Sequence, residues 1–338
     1  MKGSKKLFKN SVNTLTVTLL TTLINLSGCA NQKNLKSTEL MENKRIMSDA
    51  YEKVFNQNNP DELENIFSEE YVAHHPIAPF KGLEILKQQV TYANNALSGY
   101  NIDVHDIFSE RNMVVSRFTV RGKHVAPFFN IPGTGKSLRI TGMLFTRIED
   151  NKIVEEWEYF DQIGILQQLD VIKSVRNSPI PALTRIKSQE FEWGKPLLTK
   201  VSPNTENCMQ SNKSLIYKMV DNLWNKGKKS AFSTFFSNKF RIHAPNIPDI
   251  KNLNNFKNYW GKIQRSTMKF NISIDDIIAE GNIVAIRLAT QCVLKTTKKQ
   301  ISTGGIAILK IVNSRIVECW LTADIIGLYK QLGILPAQ

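Results

Sequence analysis

The feature that most constrains this chain is that it repeats itself. Apolar residues at Ile46, Met47, Ala50, Tyr51, Val54 and Phe55 form the stripe of an amphipathic helix, and Leu215, Ile216, Met219, Val220, Leu223 and Trp224 repeat it 169 positions later. His74 and Pro76 return as His243 and Pro245 at the same shift. "SERNMVVSRFTV" from Ser109 answers "AEGNIVAIRLAT" from Ala279, which aligns Arg117 with Arg287 at a shift of 170. The closing segments, "VEEWEYFDQIGILQQLD" at 154–170 and "IVECWLTADIIGLYKQLG" at 316–333, keep Trp157 and Trp320, Asp161 and Asp324, and Gly164 and Gly327 in step at a shift of 163. The second copy therefore lacks about seven residues of an intervening loop, and a period this long means two duplicated domains rather than a solenoid.

Each copy reads as helices followed by strands. In the first, the opening helix leads to a helical "PDELENIFSEEY", a short strand at "YVAHHP" and a second helix near "GLEILKQQVTYANNAL". The strands "YNIDVHDIFS", "NMVVSRFTVRGKH", "SLRITGMLFTRIED" and "KIVEEWEYFD" follow, separated by turn signals such as Glu149-Asp150-Asn151. Helices segregated ahead of an antiparallel meander indicate an α+β architecture. The expectation is two tandem cone-shaped domains, each a curved antiparallel sheet covered by helices around an apolar cavity. The boundaries read as domain 1 at 42–172, a linker at 173–210 and domain 2 at 211–338.

The run from "VSRFTVRGKH" to "WEYFDQIGILQQL", with "YVAHHP" upstream, resembles the SnoaL-like polyketide or ester cyclase family of the nuclear-transport-factor-2-like superfamily. The resemblance covers 42–170 well and 211–335 more weakly. It is carried by Trp157 and Asp161 in the W-x-x-x-D-x-x-G ending, then by Arg117, His124 and His74. Pro127, Asn130 and Gly133 depart from the family's loop, and Leu294 stands where His124 was, so the second copy reads as degenerate.

Trp157, Tyr159 and Asp161 alternate along a strand, so their side chains leave one face of the sheet. If that face lines the cavity, desolvation raises the Asp161 pKa and makes it a base or acid near neutral pH. The resemblance implies a use for it: proton removal beside a carbonyl, or protonation of the product oxygen, in a metal-free, cofactor-free aldol-type ring closure. Arg117 or His124 would then stabilise the enolate. Trp157, Tyr159, His74, Trp320 and Asp324 are the corresponding candidates for holding a small apolar ligand. Structural alternatives stand beside each role. Asp161 and Asp324 directly precede helical stretches and suit an N-cap. Arg117 suits a cross-strand ion pair. His74 recurs in both copies, which favours a shared structural contact. At the level of the whole protein, an enzyme, a non-catalytic binder of an apolar ligand, and an envelope scaffold with self-filled pockets all remain open.

Other motifs fail. "GTGKS" at 133–137 lacks the first glycine of a phosphate loop and precedes a strand. The five histidines are scattered, with no H-E-x-x-H and no paired Cys-x-x-Cys, so no dedicated metal site is expected. Cys292 and Cys319 fall on strands that this topology separates by another, which disfavours a disulfide.

The first 28 residues carry four lysines, an uncharged apolar run and then Leu26-Ser27-Gly28-Cys29. This resembles the signal peptide and lipobox of bacterial lipoproteins, which implies cleavage before Cys29, its lipidation, and a chain tethered to the cell envelope outside the cytoplasm. Residues 29–41 would form a flexible stalk. Charge is uneven: residues 29–170 hold 15 basic and 20 acidic side chains, whereas 171–338 hold 25 and 10. The basic half is not organised as a nucleic-acid reader, and a lipid anchor would remove it from that partner. It either faces anionic lipid or docks on its acidic sister as an internal pseudo-dimer, homodimerisation being the other arrangement open to such cones.

Overall fold

The computed structural model describes residues 37–76, 78–172, 178–183, 191–193, 197 and 206–335. The leader with Cys29, most of the stalk and most of the linker lie outside the described residues. From Asn43 onward the chain clusters as one compact body, and each repeat builds the same unit within it.

In the first repeat, helix α1 (37–56) turns π-helical over Ala50–Asn56 and buries Ala50, Tyr51 and Val54; residues 37–41, expected in the flexible stalk, are helical. Pro60–Glu62 and α2 (Leu63–Ile66) form a short helical corner, after which Phe67 adopts an extended conformation and opens β1 (Phe67–His74). The predicted helix over "PDELENIFSEEY" therefore ends earlier, because Phe67, Tyr71 and Ala73 bury themselves at sheet spacing. Then come β2 (Phe80–Lys81), α3 (Leu83–Ala96), β3 (Leu97–Glu110), β4 (Met113–His124), β5 (Ser137–Glu149), β6 (Lys152–Phe160) and α4 (Gln162–Gln168). The β5–β6 hairpin turns through Asp150 and Asn151, both at positive φ (49° and 58°), the primed-turn geometry that matches strand twist.

The sheet order is β2-β1-β6-β5-β4-β3. Its neighbours are antiparallel except that β1 runs parallel to β6, which corrects the wholly antiparallel sheet expected from sequence. The reason is connectivity: the chain leaves β1 through α3 and the whole meander before returning beside it, and such a long crossover permits parallel pairing.

The second repeat follows suit. Helix α5 (Glu206–Met219) passes into a π-helical turn (Val220–Asn225), then α6 (Phe232–Phe235), β7 (Phe236–His243), α7 (Leu253–Ser266), β8 (Thr267–Glu280), β9 (Ile283–Leu294), β10 (Gln300–Val312), β11 (Arg315–Ala323) and α8 (Ile325–Gln331). Its sheet runs β7-β11-β10-β9-β8, with β7 parallel to β11.

Both sheets are covered on both faces. Helices close one face of each over its own apolar core. The opposite faces pack on each other through a third cluster that joins Phe108, Val115, Met143 and Phe145 to Ile278, Ile283, Ile306, Ile308 and Trp320. The two repeats are thus an internal pseudo-dimer. Its rim is reciprocal: Lys44 pairs with Glu280 (2.5 Å), whose other oxygen accepts from the Ser109 amide, while Lys213 pairs with Glu110 (2.5 Å), whose other oxygen accepts from the Ala279 amide. These ion pairs run in both directions across an apolar centre. Apolar burial therefore carries the contact, and attraction between an acidic and a basic half is not needed to explain it.

Candidate functional site

Strand β6 decides where the site is. Successive side chains on it point to opposite faces, and Glu156, Glu158 and Phe160 face the hollow of the first cone, together with Tyr51, Tyr71, His75, Tyr100 and Phe118. Trp157, Tyr159 and Asp161 do share a face, as their spacing predicted, but it is the face turned toward the second repeat. Trp157 and Tyr159 pack in the inter-repeat cluster, and the Tyr159 hydroxyl lies so close to Gly304 that a Cβ there would meet it at 2.3 Å. Trp320 is buried in the same cluster. The placement of Trp157, Tyr159 and Trp320 on a cavity wall is corrected accordingly: the large aromatic faces were needed to hold two sheets together.

Asp161 and Asp324 are helix caps. Asp161 Oδ1 accepts from the Gly164 amide (2.9 Å) and Asp324 Oδ1 from the Gly327 amide (2.8 Å), each at the first turn of its helix. A Cβ on either glycine would sit 2.0 Å from the capping carboxylate, which explains the D-x-x-G spacing of both copies. Neither aspartate lines its hollow. Burial raises the Asp324 pKa, opposed by the Gly327 amide.

Arg117 is fully buried. Its Nε and Nη2 donate to Asp106 (2.9 and 2.5 Å), its Nη1 donates to the Trp193 carbonyl (2.8 Å), and its guanidinium lies against the rings of Trp193 and Trp320 (5.6 and 5.5 Å). Arg287 mirrors it, bonding Asp276 and lying 4.4 Å over Trp157. His124 is buried outside the lining of the hollow, its Nδ1 3.1 Å from Thr134 Oγ1, and its Nε2 has no hydrogen-bond partner among the described residues. Thus Asp161, Arg117 and His124 do not converge. Of the residues expected to meet a ligand, His74 lies at the hollow's margin. It is also stacked on Trp157 (5.0 Å) and 2.6 Å from Glu155, as His243 is stacked on Trp320 (4.9 Å) and 3.4 Å from Glu318.

What converges instead is a pair of carboxyl groups in the first hollow, whose volume is about 230 Å³. Glu156 is held from two sides: Tyr71 Oη donates to Oε2 (2.6 Å) and Thr146 Oγ1 to Oε1 (3.0 Å). Burial pushes its pKa up to about 7 against those two hydrogen bonds. Glu158 lies beside it along the strand with a third of its side chain still open, and as a lining residue it presents that surface to the hollow. Burial pushes it, too, up to about 7. His75 Nε2 stands 3.5 Å from Glu158 Oε2, and burial lowers its pKa to about 4, so the imidazole is neutral at pH 7. Tyr100 is also driven well above its ordinary value, by burial and then by the charge of Glu158. A carboxyl group that ionises near neutrality beside a neutral imidazole is able to exchange protons with a bound molecule.

The second hollow, about 270 Å³, occupies the equivalent place and has lost all of this. Cys319 and Leu321 replace Glu156 and Glu158, Phe240 replaces Tyr71, Ala244 replaces His75, Phe270 replaces Tyr100 and Leu309 replaces Thr146. Cys292 and Cys319 are free thiols whose pKa burial raises, to about 11 and about 12. Neither hollow is plugged by its own side chains. Among the described residues no group of three or more His, Cys, Asp and Glu is arranged to hold a metal ion.

A family model described as SnoaL-like polyketide cyclase matches residues 45–169 and 214–332, more than half of the chain. Solved structures to which the chain is similar include TsrD from Streptomyces laurentii (22% identity, 39% of this chain and 97% of that one, TM-score 0.37). IdmH from Streptomyces antibioticus is similar at 23% identity over 38% of this chain and 98% of its own, with a TM-score of 0.35. A SnoaL-like polyketide cyclase from Agrobacterium tumefaciens matches at 20% identity over 38% and 97%, with a TM-score of 0.34. No curated protein matches the chain.

Proposed function

Since the chain belongs to the SnoaL-like polyketide cyclase family, we propose that its first repeat is a cofactor-free acid–base site acting on a small apolar carbonyl compound, with Glu158 as the base. The observation that carries this reading is the Glu158 carboxyl group, open to an aromatic hollow, held near pH 7 and 3.5 Å from His75. A base poised at the working pH combines a substantial ionised fraction with enough basicity to take a proton from carbon beside a carbonyl. The neutral His75 ring donates a hydrogen bond to the enolate oxygen as charge builds there, a task for which a low imidazole pKa is suited. Glu156, tied down by Tyr71 and Thr146, fixes the wall beside Glu158. The enolate carbon then closes on a second carbonyl in an aldol-type step, and the proton on Glu158 passes to the new alkoxide. Apolar lining restricts the substrate to molecules with little other polarity.

The reading extends to location: Cys29 carries acyl chains, and the protein works at the surface of a bacterial envelope membrane. Mass spectrometry of the amino-terminal peptide checks the acylation, and Cys29→Ala releases the protein into the soluble fraction.

The chemistry is tested by deuterium exchange at the α-carbons of 2-decanone, followed by NMR. The wild type accelerates exchange, Glu158→Gln loses about 10²–10⁴-fold, and Asp161→Asn keeps the rate wherever it folds. Loss of exchange in the Asp161 variant with retention in the Glu158 variant would return the base to the capping residue. The second copy's hollow, which has no ionisable acid of this kind, favours ligand capture without chemistry for that repeat.

A further inference from the structure

Docking of the two repeats leaves the positive charge of the second one unused, and its excess gathers at one end of that cone. Lys262 and Arg265 lie on the exposed side of α7, Lys269 near the start of β8, and Lys295, Lys298 and Lys299 in the turn from β9 to β10. Hydrogen bonds bring these segments together. The Lys295 amide donates to the Ser266 carbonyl (2.9 Å), and its Nζ donates to the Gln264 carbonyl (2.8 Å) in the last turn of α7. The corner carrying Lys228 and Lys229 joins them, since a Cβ on Gly227 would stand 3.9 Å from Gln264 Nε2. All eight basic residues are exposed, and among the described residues none is paired with a carboxylate. From 222 to 317 the acidic residues are Asp249, Asp275, Asp276 and Glu280, and each is engaged elsewhere, by Lys251, Arg287 or Lys44.

The first repeat has no such array. Tyr92, Asn95, Gly99, Val125 and Gly135 stand at the places of Lys262, Arg265, Lys269, Lys295 and Lys298, and Lys136, the counterpart of Lys299, is paired with Asp170. Two of these exchanges go against backbone preference. Lys269 and Lys298 hold φ of 52° and 59°, as Gly99 and Gly135 hold 67° and 71°, a left-handed conformation that glycine adopts freely and lysine only at a cost. The charge of lysine, not the fold, accounts for its presence there. We propose that this end of the second repeat is a docking surface for anionic phospholipid headgroups. The chemistry suits a diffuse, fluid layer of charge. Seven of the eight residues are lysines, point charges without the planar fork of arginine, and the described residues among them expose no large apolar or aromatic side chain on which a nucleic-acid base could stack. The proposal rests on the reading of Cys29 as a lipid anchor: only eight residues separate it from α1, at most about 28 Å of chain, so an acylated Cys29 keeps the body beside the bilayer.

Vesicle sedimentation of the mature chain, residues 29–338 carrying Cys29→Ala, reads the patch without the anchor. The chain is expected to bind vesicles of about seven parts phosphatidylcholine to three of phosphatidylglycerol in about 0.1 M NaCl, to ignore phosphatidylcholine alone, and to be released by about 0.5 M NaCl. Lys269→Gly with Lys298→Gly gives both turns the residue that the first repeat carries, so the melting temperature should hold or rise. Binding should weaken about 25-fold, roughly 5-fold for each charge near the surface. Lys81→Gln with Lys87→Gln removes the same charge from the first repeat and is expected to leave binding within about twofold. Absence of binding to the anionic vesicles, an equal loss in the two double variants, or tighter binding to duplex DNA than to vesicles of equal phosphate content would overturn the proposal. The anchor reading fails separately, by an unacylated amino-terminal peptide in the wild type; vesicle binding by the Cys29→Ala chain would still support the patch.

Discussion

The two hollows share a backbone plan and differ in almost everything that touches a guest. Where the first holds Glu156, Glu158, Tyr71, His75, Tyr100 and Thr146, the second holds cysteine, leucine, phenylalanine, alanine, phenylalanine and leucine. Yet the charged residues and the tryptophan by which the repeats meet recur at matching positions: Lys44 with Lys213, Asp106 with Asp276, Glu110 with Glu280, Arg117 with Arg287, Trp157 with Trp320. In each repeat the arginine pairs with its own aspartate and lies over the other repeat's tryptophan. In a duplicated chain, residues retained in both copies serve what both copies must do, which here is to cap a helix and dock a sheet. Residues that differ serve the separate task of each hollow.

That contrast breaks most readily at Glu158. Glu158→Gln should cut α-proton exchange about 10²–10⁴-fold, while Leu321→Gln at the matching place in the second repeat should leave the rate where it was; exchange measured by NMR on both variants decides whether one hollow or two does chemistry. Next in size comes the interface, where the copies are alike in pattern and unequal in burial. Arg117→Met strands the Asp106 carboxylate, whose burial is complete, and should cost about 3–5 kcal/mol. Arg287→Met uncovers a pair that is already partly solvated and should cost at most about 1 kcal/mol. Denaturant unfolding of the two variants measures the difference, and equal losses would show that the linker residue Trp193 does not seal the first arginine from water as its contacts imply.

Tyr71→Phe converts a residue of the first hollow to its counterpart in the second. It should cost about 1 kcal/mol in thermal unfolding, because Glu156 loses a donor and Phe fits the space, as Phe240 does. The last test is of pH dependence. Glu156 and Glu158 are raised from 4.5 to about 7, so between those limits the folded chain holds protons that the unfolded chain has released, and stability falls as pH rises through that window. His75, lowered from 6.5 to about 4, acts in the opposite sense below 6.5 and offsets part of the slope. Melting temperatures of Glu158→Gln should gain on the wild type by a few degrees from pH 4.5 to pH 7 and stay level above it; a gap that does not change with pH would mean Glu158 is not held near neutrality.

The sequence made the frame legible because a frame is periodic. Helical stripes recur in α1 and α5, alternation marks the strands, Asp150-Asn151 marks a hairpin, and the shifts of 169, 170 and 163 announce two domains. The site was harder to read, since β6 is buried on both faces and alternation along it separates two sets of residues without saying which set faces which neighbour. Trp157, Tyr159 and Asp161 were the more conspicuous set, and their recurrence in the second copy made them more so. Comparison of the copies held the usable signal: Glu156 and Glu158 change, to Cys319 and Leu321, on either side of the retained Trp157.

By itself, then, the order of residues determined the number of domains, their α+β layering and the division of each strand into two faces, because hydrophobic burial and backbone geometry impose periods that local sequence must obey. Only the tertiary structure decided which face of β6 turns inward to the hollow and which meets the sister sheet. That choice depends on what packs against the sheet from distant parts of the chain, and a two-residue period is blind to it.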